Sequence, residues 1–330
     1  MDVEQQLEQF TQAYHQVRAE MAKVIVGQQQ VVDLALTGFF AGGHVLLEGV
    51  PGLGKTVLVR TLADACELDF SRIQFTPDLM PADIIGTDIV HEDENGKRTF
   101  EFRPGPLHAQ LVLADEINRA TPKTQSAMLE AMQESQVSVG INTYKMRQPF
   151  FVMATQNPIE QEGTYPLPEA QLDRFLLKIS VGMPDKDELK EVLNRTTGAT
   201  LPEASQVING EQIVGHRKFI RSLVAADNVQ DYAVRLVLAT HAGNPGAPDA
   251  VTRYVRNGSS PRGAQALLTA GKVFAAMEGR LQVDFSDIRK AAGPALGHRM
   301  LLNFEGEAEQ VATGDLITQL LDHVPEVVGA

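Results

Sequence analysis

Along the chain the spacing of apolar residues changes once, near residue 184. Before that point, short apolar runs alternate with Gly/Pro-punctuated and helix-like stretches. Five runs predict strands: 45–47, 72–75, 111–113, 150–155 and 176–181. Runs this apolar leave no polar face for water, so they suit a parallel sheet covered by helices on both sides. Two further segments predict inserted hairpins. One pairs 88–91 with 99–102 across Asn95-Gly96, a strong turn signal. The other pairs 136–139 with 144–147 around Gly140-Ile141-Asn142-Thr143.

After residue 184 the period becomes helical. Leu189, Val192 and Leu193 share one face, as do Val229, Tyr232, Ala233 and Leu236. Ala264, Leu267, Leu268, Gly271, Phe274 and Ala275 form a third stripe. Ile288, Ala291, Ala292, Ala295 and Leu296 form a fourth, with Pro294 a strain on that helix. Each stripe predicts a core face. The expected layout is an α/β domain over 1–184 and an all-helical domain over 185–330, joined at Met183-Pro184-Asp185.

Composition narrows the classes. The 330 residues are 22% charged and 43% hydrophobic, as in ordinary globular proteins. A net charge of −13 argues against non-specific binding to nucleic acid or to an anionic membrane. The single cysteine, Cys66, excludes an internal disulfide and predicts a small core residue. The acidic start Met1-Asp2-Val3-Glu4 does not resemble a signal peptide, and no apolar run is long enough to span a bilayer. The default expectation is a cytoplasmic protein without membrane insertion.

The densest chemistry lies in Gly49-Val50-Pro51-Gly52-Leu53-Gly54-Lys55-Thr56, followed by Val57. It fits G-x-x-x-x-G-K-[ST] at every fixed position, between a predicted strand and a predicted helix. Glycines let backbone N–H groups close around phosphate oxygens, and the helix N-terminus favours the anion. Lys55 is placed for the β- and γ-phosphates and Thr56 for magnesium.

Leu111-Val112-Leu113-Ala114 ends in Asp115-Glu116. Alone, that is a solvated acid pair at a strand end. With a phosphate loop in the same chain, Asp115 suits support of a magnesium ion and Glu116 suits polarising a water. Asn157 ends another strand and offers both a donor and an acceptor to the same water; before Pro158 it also suits a turn. Arg174 follows Asp173 and has two readings: a local ion pair, or a cation projected into an adjacent subunit's nucleotide site. Arg262 lies in the first turn of the helix opened by Ser260-Pro261, where a cation opposes the helix dipole. That placement hints at an anion, for which a nucleotide phosphate is the natural candidate; an exposed arginine is the plainer reading.

In this order the elements resemble the AAA+ ATPases, over nearly the whole chain. Four stretches narrow the resemblance to the MoxR family, the first being Glu48-Gly49-Val50-Pro51-Gly52-Leu53-Gly54-Lys55-Thr56. The others are Ala114-Asp115-Glu116-Ile117-Asn118-Arg119-Ala120, Ala154-Thr155-Gln156-Asn157-Pro158 and, most specifically, Glu162-Gly163-Thr164-Tyr165-Pro166-Leu167-Pro168-Glu169-Ala170-Gln171-Leu172-Asp173-Arg174-Phe175. The resemblance implies that Val26 and Gly27 contact adenine, that Lys55 and Thr56 belong to Walker A, and that Asp115 and Glu116 belong to Walker B. It implies Asn157 as sensor 1, Arg174 as arginine finger and Arg262 as sensor 2. It places inserts near 84–106 and 136–147. It further implies ATP and Mg2+ as cofactors and a homo-oligomeric ring, usually a hexamer. A protein client and a von Willebrand factor A domain partner are also implied.

The expected function is ATP-driven, chaperone-like remodelling of a protein complex. A nucleotide-gated assembly module with slow hydrolysis is the alternative. A nucleic-acid motor is disfavoured, because the hairpin cations Lys97, Arg98, Lys145 and Arg147 face Asp88, Glu92, Asp93, Glu94 and Glu101.

Overall fold

A computed structural model describes residues 2–92, 98–158, 164–198 and 200–327. The expected Asn95-Gly96 turn and the Glu162-Gly163 pair lie outside them. Helices α1 (Val3–Val24) and α2 (Gln29–Ala41) lead into β1 (Val45–Glu48), α3 (Lys55–Ala65) and β2 (Phe70–Gln74). Then come α4 (Pro81–Ile85), the hairpin β3 (Gly86–Glu92) and β4 (Arg98–Pro104), β5 (Leu111–Asp115) and α5 (Pro122–Glu134). The second hairpin, β6 (Gln136–Val139) and β7 (Asn142–Lys145), precedes β8 (Phe151–Gln156), α6 (Glu169–Leu172) and β9 (Leu177–Ser180).

The remainder is helical but for two short strands: α7 (Lys186–Thr196), α8 (Gly210–Ser222), α9 (Asp227–Ala239), α10 (Asp249–Tyr254) and β10 (Val255–Asn257), then α11 (Pro261–Met277) and α12 (Phe285–Leu296). It closes with β11 (Leu301–Leu302), α13 (Phe304–Ala308) and α14 (Thr313–His323).

The five strands expected from apolar runs form one parallel sheet, ordered β2-β5-β8-β1-β9. Successive strand residues point to opposite faces, and the burial follows that alternation. Val45, Leu47, Leu111, Leu113, Phe151 and Met153 join one core. Leu46, Val112, Ala114, Val152 and Ala154 join the other, against α5. The first core is continuous with the C-terminal helices: α11 packs on α1, α2, α9 and α12. Thr11 Oγ1 donates to the Ala276 carbonyl at 2.8 Å and ties α1 to α11.

Both hairpins form. In the second, Val139 pairs with Asn142, so the turn tightens to Gly140-Ile141. Phe102 stacks on Tyr144 at 3.8 Å and joins the two hairpins. Cys66 is buried and free as expected, and burial pushes its thiol pKa up.

One expected core face is not one. On α7, Leu189 and Leu193 are 44% and 54% exposed, and the helix buries no residue fully. Its periodicity reflects amphipathicity: Val192 is half-buried, and α7 meets α1 through Arg195, which donates to the Ala22 and Lys23 carbonyls at 2.8 and 2.7 Å. The other three stripes face the core. Pro294 sits inside α12 without ending it, since the Gly297 N–H still reaches the Gly293 carbonyl.

Phe151 is fully buried and meets Phe39 edge-on at 5.2 Å. Phe151→Ala should cost about 3–5 kcal/mol, read from the urea midpoint. His44 is held neutral: its Nε2–H donates to the Met132 carbonyl, and its Nδ1 accepts from the Val152 N–H. Burial pushes its pKa down to about 4 from 6.5. Between those values the unfolded chain takes up a proton that the folded chain refuses, so stability should fall as pH drops through this window. A His44→Gln variant should show a flatter profile of urea midpoint against pH.

Candidate nucleotide site

Strand β1 ends at Glu48 and α3 begins at Lys55, so residues 49–54 turn directly from strand into helix. Gly52 and Gly54 hold φ of +86° and +77°, a conformation that side-chain-bearing residues rarely adopt. A Cβ at either would meet nothing within 4 Å. The glycines are therefore set by backbone conformation, and the space beside them is open. That concavity at a helix N-terminus fits phosphate. Lys55 Nζ folds over the loop, donating to the Gly49 carbonyl at 2.5 Å and the Val50 carbonyl at 3.3 Å. Burial lowers the Lys55 pKa, and the carboxylates of Asp115 and Glu116 act against that shift. Thr56 and Val57 occupy the first turn of α3 beside it.

The acids stand at the end of β5, which β8 separates from β1. Asp115 closes β5; its Oδ1 accepts from Thr155 Oγ1 at 2.6 Å, and its Oδ2 accepts from Arg72 Nη2 at 2.6 Å and Nε at 3.1 Å. Glu116 leaves the strand with φ +56° and ψ +50°, left-handed for a residue that disfavours it. The turn sends its side chain elsewhere: Oε2 accepts from Gln74 Nε2 at 2.8 Å and from Arg119 Nη1 at 3.0 Å. The Glu116 N–H donates to Thr155 Oγ1 at 2.8 Å. One fully buried hydroxyl thus fixes both acids. Asn157 follows β8 at the same edge and is buried.

Sequence reasoning missed Arg72, Gln74, Arg119 and Thr155. Thr155 carried a usable signal, a hydroxyl within an apolar run that pairs alongside Leu47 of β1. Arg72 and Gln74 become visible only through the pairing of β2 with β5, whereas Arg119 stands three residues after Glu116, a local spacing legible in the sequence.

Arg174 and Arg262 lie elsewhere. Together they line a cavity of about 600 Å³, with Gly43, His44, Arg217 and Lys272 also on its wall. Gly43 and His44 precede β1 and Arg174 precedes β9, whereas the phosphate loop follows β1. The two places are opposite edges of one parallel sheet, separated by at least a four-residue strand, ~13 Å. Arg262 therefore does not share a pocket with Lys55 of its own chain. Arg174 forms no pair with Asp173; its Nη1 donates to the Leu129 carbonyl at 2.9 Å, and its Nε has no partner among the described residues. Arg217 Nη2, in the same wall, is likewise without a partner.

Val26 and Gly27 lie between α1 and α2. Gly27 has φ +62°, and a Cβ there would sit 2.1 Å from Glu188 Oε1. The first turn of α7 thus presses on this segment.

A magnesium ion would be held by Thr56 and Asp115 with the nucleotide's phosphates. Among the described residues no cluster of three His, Cys, Asp or Glu could hold a metal alone.

The profile described as "ATPase family associated with various cellular activities (AAA)" matches residues 44–177, and that of the AAA lid domain matches 248–320. The chain is 43% identical to Chaperone MoxR1 of Mycobacterium tuberculosis, over 92% of this chain and 80% of that one. It is 32% identical to Protein MoxR of Methylorubrum extorquens, over 93% of each. A crystal structure of a candidate ATPase from Cytophaga hutchinsonii superposes with a TM-score of 0.90 at 41% identity, covering 98% of this chain and 97% of that one.

Thr155→Val keeps the shape of the buried side chain but strands the Glu116 N–H and one Asp115 oxygen. The loss should be about 1–3 kcal/mol, measured by urea denaturation. An unchanged midpoint would show that the hydroxyl does not organise the acids.

Proposed function

The chain belongs to the MoxR family of AAA+ ATPases, and from that premise we propose that it hydrolyses ATP within a ring of its own copies and uses the turnover to remodel a protein client. One observation carries the reading. The phosphate loop and the arginine pair occupy opposite edges of the sheet, so a site needing both is completed by the next copy. Arg174 and Arg262 then act together on a neighbour's triphosphate. The unpartnered Arg174 Nε supports this, because a buried donor left without a bond is costly unless something arrives to accept it.

In this reading the loop around Gly49, Pro51, Gly52, Leu53 and Gly54 cradles the phosphates, and Lys55 turns from the loop carbonyls to the β- and γ-oxygens. Val26 and Gly27 contact the adenine beneath α7. Mg2+, when bound with the nucleotide, neutralises phosphate charge, and Thr56 and Asp115 would hold it. Glu116 and Asn157 orient a water in line with the γ-phosphorus. The new P–O bond forms as the bridging P–O bond breaks, and ADP leaves with the electron pair. Arg174 and Arg262 stabilise the charge that develops.

A second reading has specific support. The Glu116 carboxylate is occupied by Gln74 and Arg119, so basal hydrolysis is slow until those bonds are exchanged. Nucleotide binding would then set assembly, and a client or partner would raise the rate. A von Willebrand factor A domain protein is the partner that family resemblance suggests, and the name of the mycobacterial relative supports chaperone work.

The hairpins favour a protein client over nucleic acid. Phe100 and Ile141 are exposed near their tips, whereas Arg147 is paired with Asp69 at 2.6 Å. Among the described residues no helix is long and apolar enough to cross a membrane.

Glu116→Gln should bind ATP normally and turn over roughly 10²–10³-fold more slowly, as for loss of one preorganised electrostatic group. Arg174→Ala should do the same and should abolish the gain in rate on assembly. Phosphate release and nucleotide-binding fluorescence across protein concentrations check both. Equal turnover by monomer and oligomer, or near-normal turnover by Arg174→Ala, sinks the proposal.

A further inference from the structure

Between the arginine pair and the C-terminal helices lies a polar junction that the hydrolysis chemistry does not touch. Arg299 follows α12 and is 6% exposed. All five of its N–H donors have acceptors. Nε donates to Asp173 Oδ1 at 2.9 Å. Nη2 donates to the carbonyls of Asp173 at 3.0 Å and Phe175 at 2.7 Å. Nη1 donates to the carbonyls of Leu176 at 3.2 Å and Ala295. One guanidinium therefore grips three carbonyls of the segment that carries Arg174. Beside it, His298 Nε2 bonds the Phe175 carbonyl at 3.1 Å.

Asp173 gathers the other side. Its two carboxylate oxygens each lie 2.9 Å from Ser260 Oγ, the cap of α11. Arg262, in the first turn of that helix, reaches Asp173 Oδ2 at 3.5 Å. The backbone that aims Arg174 and the helix that aims Arg262 are thus joined through one carboxylate and one buried guanidinium. The fork geometry of arginine is what allows this; a lysine offers a point charge without parallel donors.

We propose that Asp173 and Arg299 are positioning residues: a latch between the C-terminal helices and the 173–176 segment that holds Arg174 and Arg262 in one fixed relation to each other. The latch rests on the reading that these arginines serve a neighbouring copy's nucleotide. Neither latch residue touches the substrate. Its loss alters the site of the next copy, not that of its own chain.

The test uses assembled full-length protein. Asp173→Asn should lower kcat at least tenfold while its own ATP affinity, read by nucleotide fluorescence, stays within twofold. Mixing it with Lys55→Ala subunits should restore turnover, because those subunits bind no nucleotide yet present intact arginines. Arg174→Ala mixed with Lys55→Ala is the control. Rescue of the control without rescue of Asp173→Asn overturns the latch and leaves shared sites standing, as does a wild-type kcat for Asp173→Asn. Failure of the control overturns the shared site and the latch with it. If Asp173→Asn does not fold, Arg299→Lys takes its place under the same criteria.

Discussion

A short parallel sheet buried on both faces is the constraint from which the rest follows. Its inner strands offer water nothing, so every chemical group must stand at one edge or the other. Parallel strands make the two edges unlike. The carboxyl edge collects the phosphate loop, Asp115, Glu116 and Asn157. The amino edge collects His44, Arg174 and, through the C-terminal helices, Arg262. With a strand's length of packed core between them, the two edges form separate sites within one chain. In the reading proposed above, a second copy brings these cations to the phosphates.

At the carboxyl edge the acids are already ordered. Two carboxylates beside a half-buried lysine are kept apart by the left-handed turn at Glu116 and by the two hydrogen bonds of Thr155. Arg72 and Arg119 neutralise them from either side. Lys55 and the two acids thus each already hold a partner within the chain. The amino edge is arranged differently. Its cations are clustered within a chain of net charge −13, and two of them, Arg174 and Arg217, each keep one donor without a partner among the described residues. Among the described residues Asp173 is the single acid on the cavity wall, and it is engaged by Arg299, Ser260 and Arg262.

The apolar surface left over is as informative. Leu189 and Leu193 on α7, with Met183 before it, stay exposed although α7 presses on Gly27. The hairpins carry Phe100 and Ile141 outward. These faces lie on added elements, outside the five strands, so they can vary without disturbing the sheet.

The sequence by itself determined the five strands of the parallel sheet and the two-sided core, because odd and even positions of each apolar run have nowhere else to go, whereas the short pair β10 and β11 carried no such signal. It also determined the phosphate loop, since positive φ at Gly52 and Gly54 is a local demand that glycine alone meets cheaply. Three things belonged to the tertiary structure. Gln74 and Arg72 meet the acids because β2 pairs with β5, a contact across more than 40 positions that no local pattern encodes. The stripe on α7 looked like any core stripe, because periodicity shows that a face is apolar and not what covers it. Arg262 carried the mark of an anion site in its helix position, but its surroundings depended on where α11 packs: the side chain meets Asp173 at the far edge, away from Lys55.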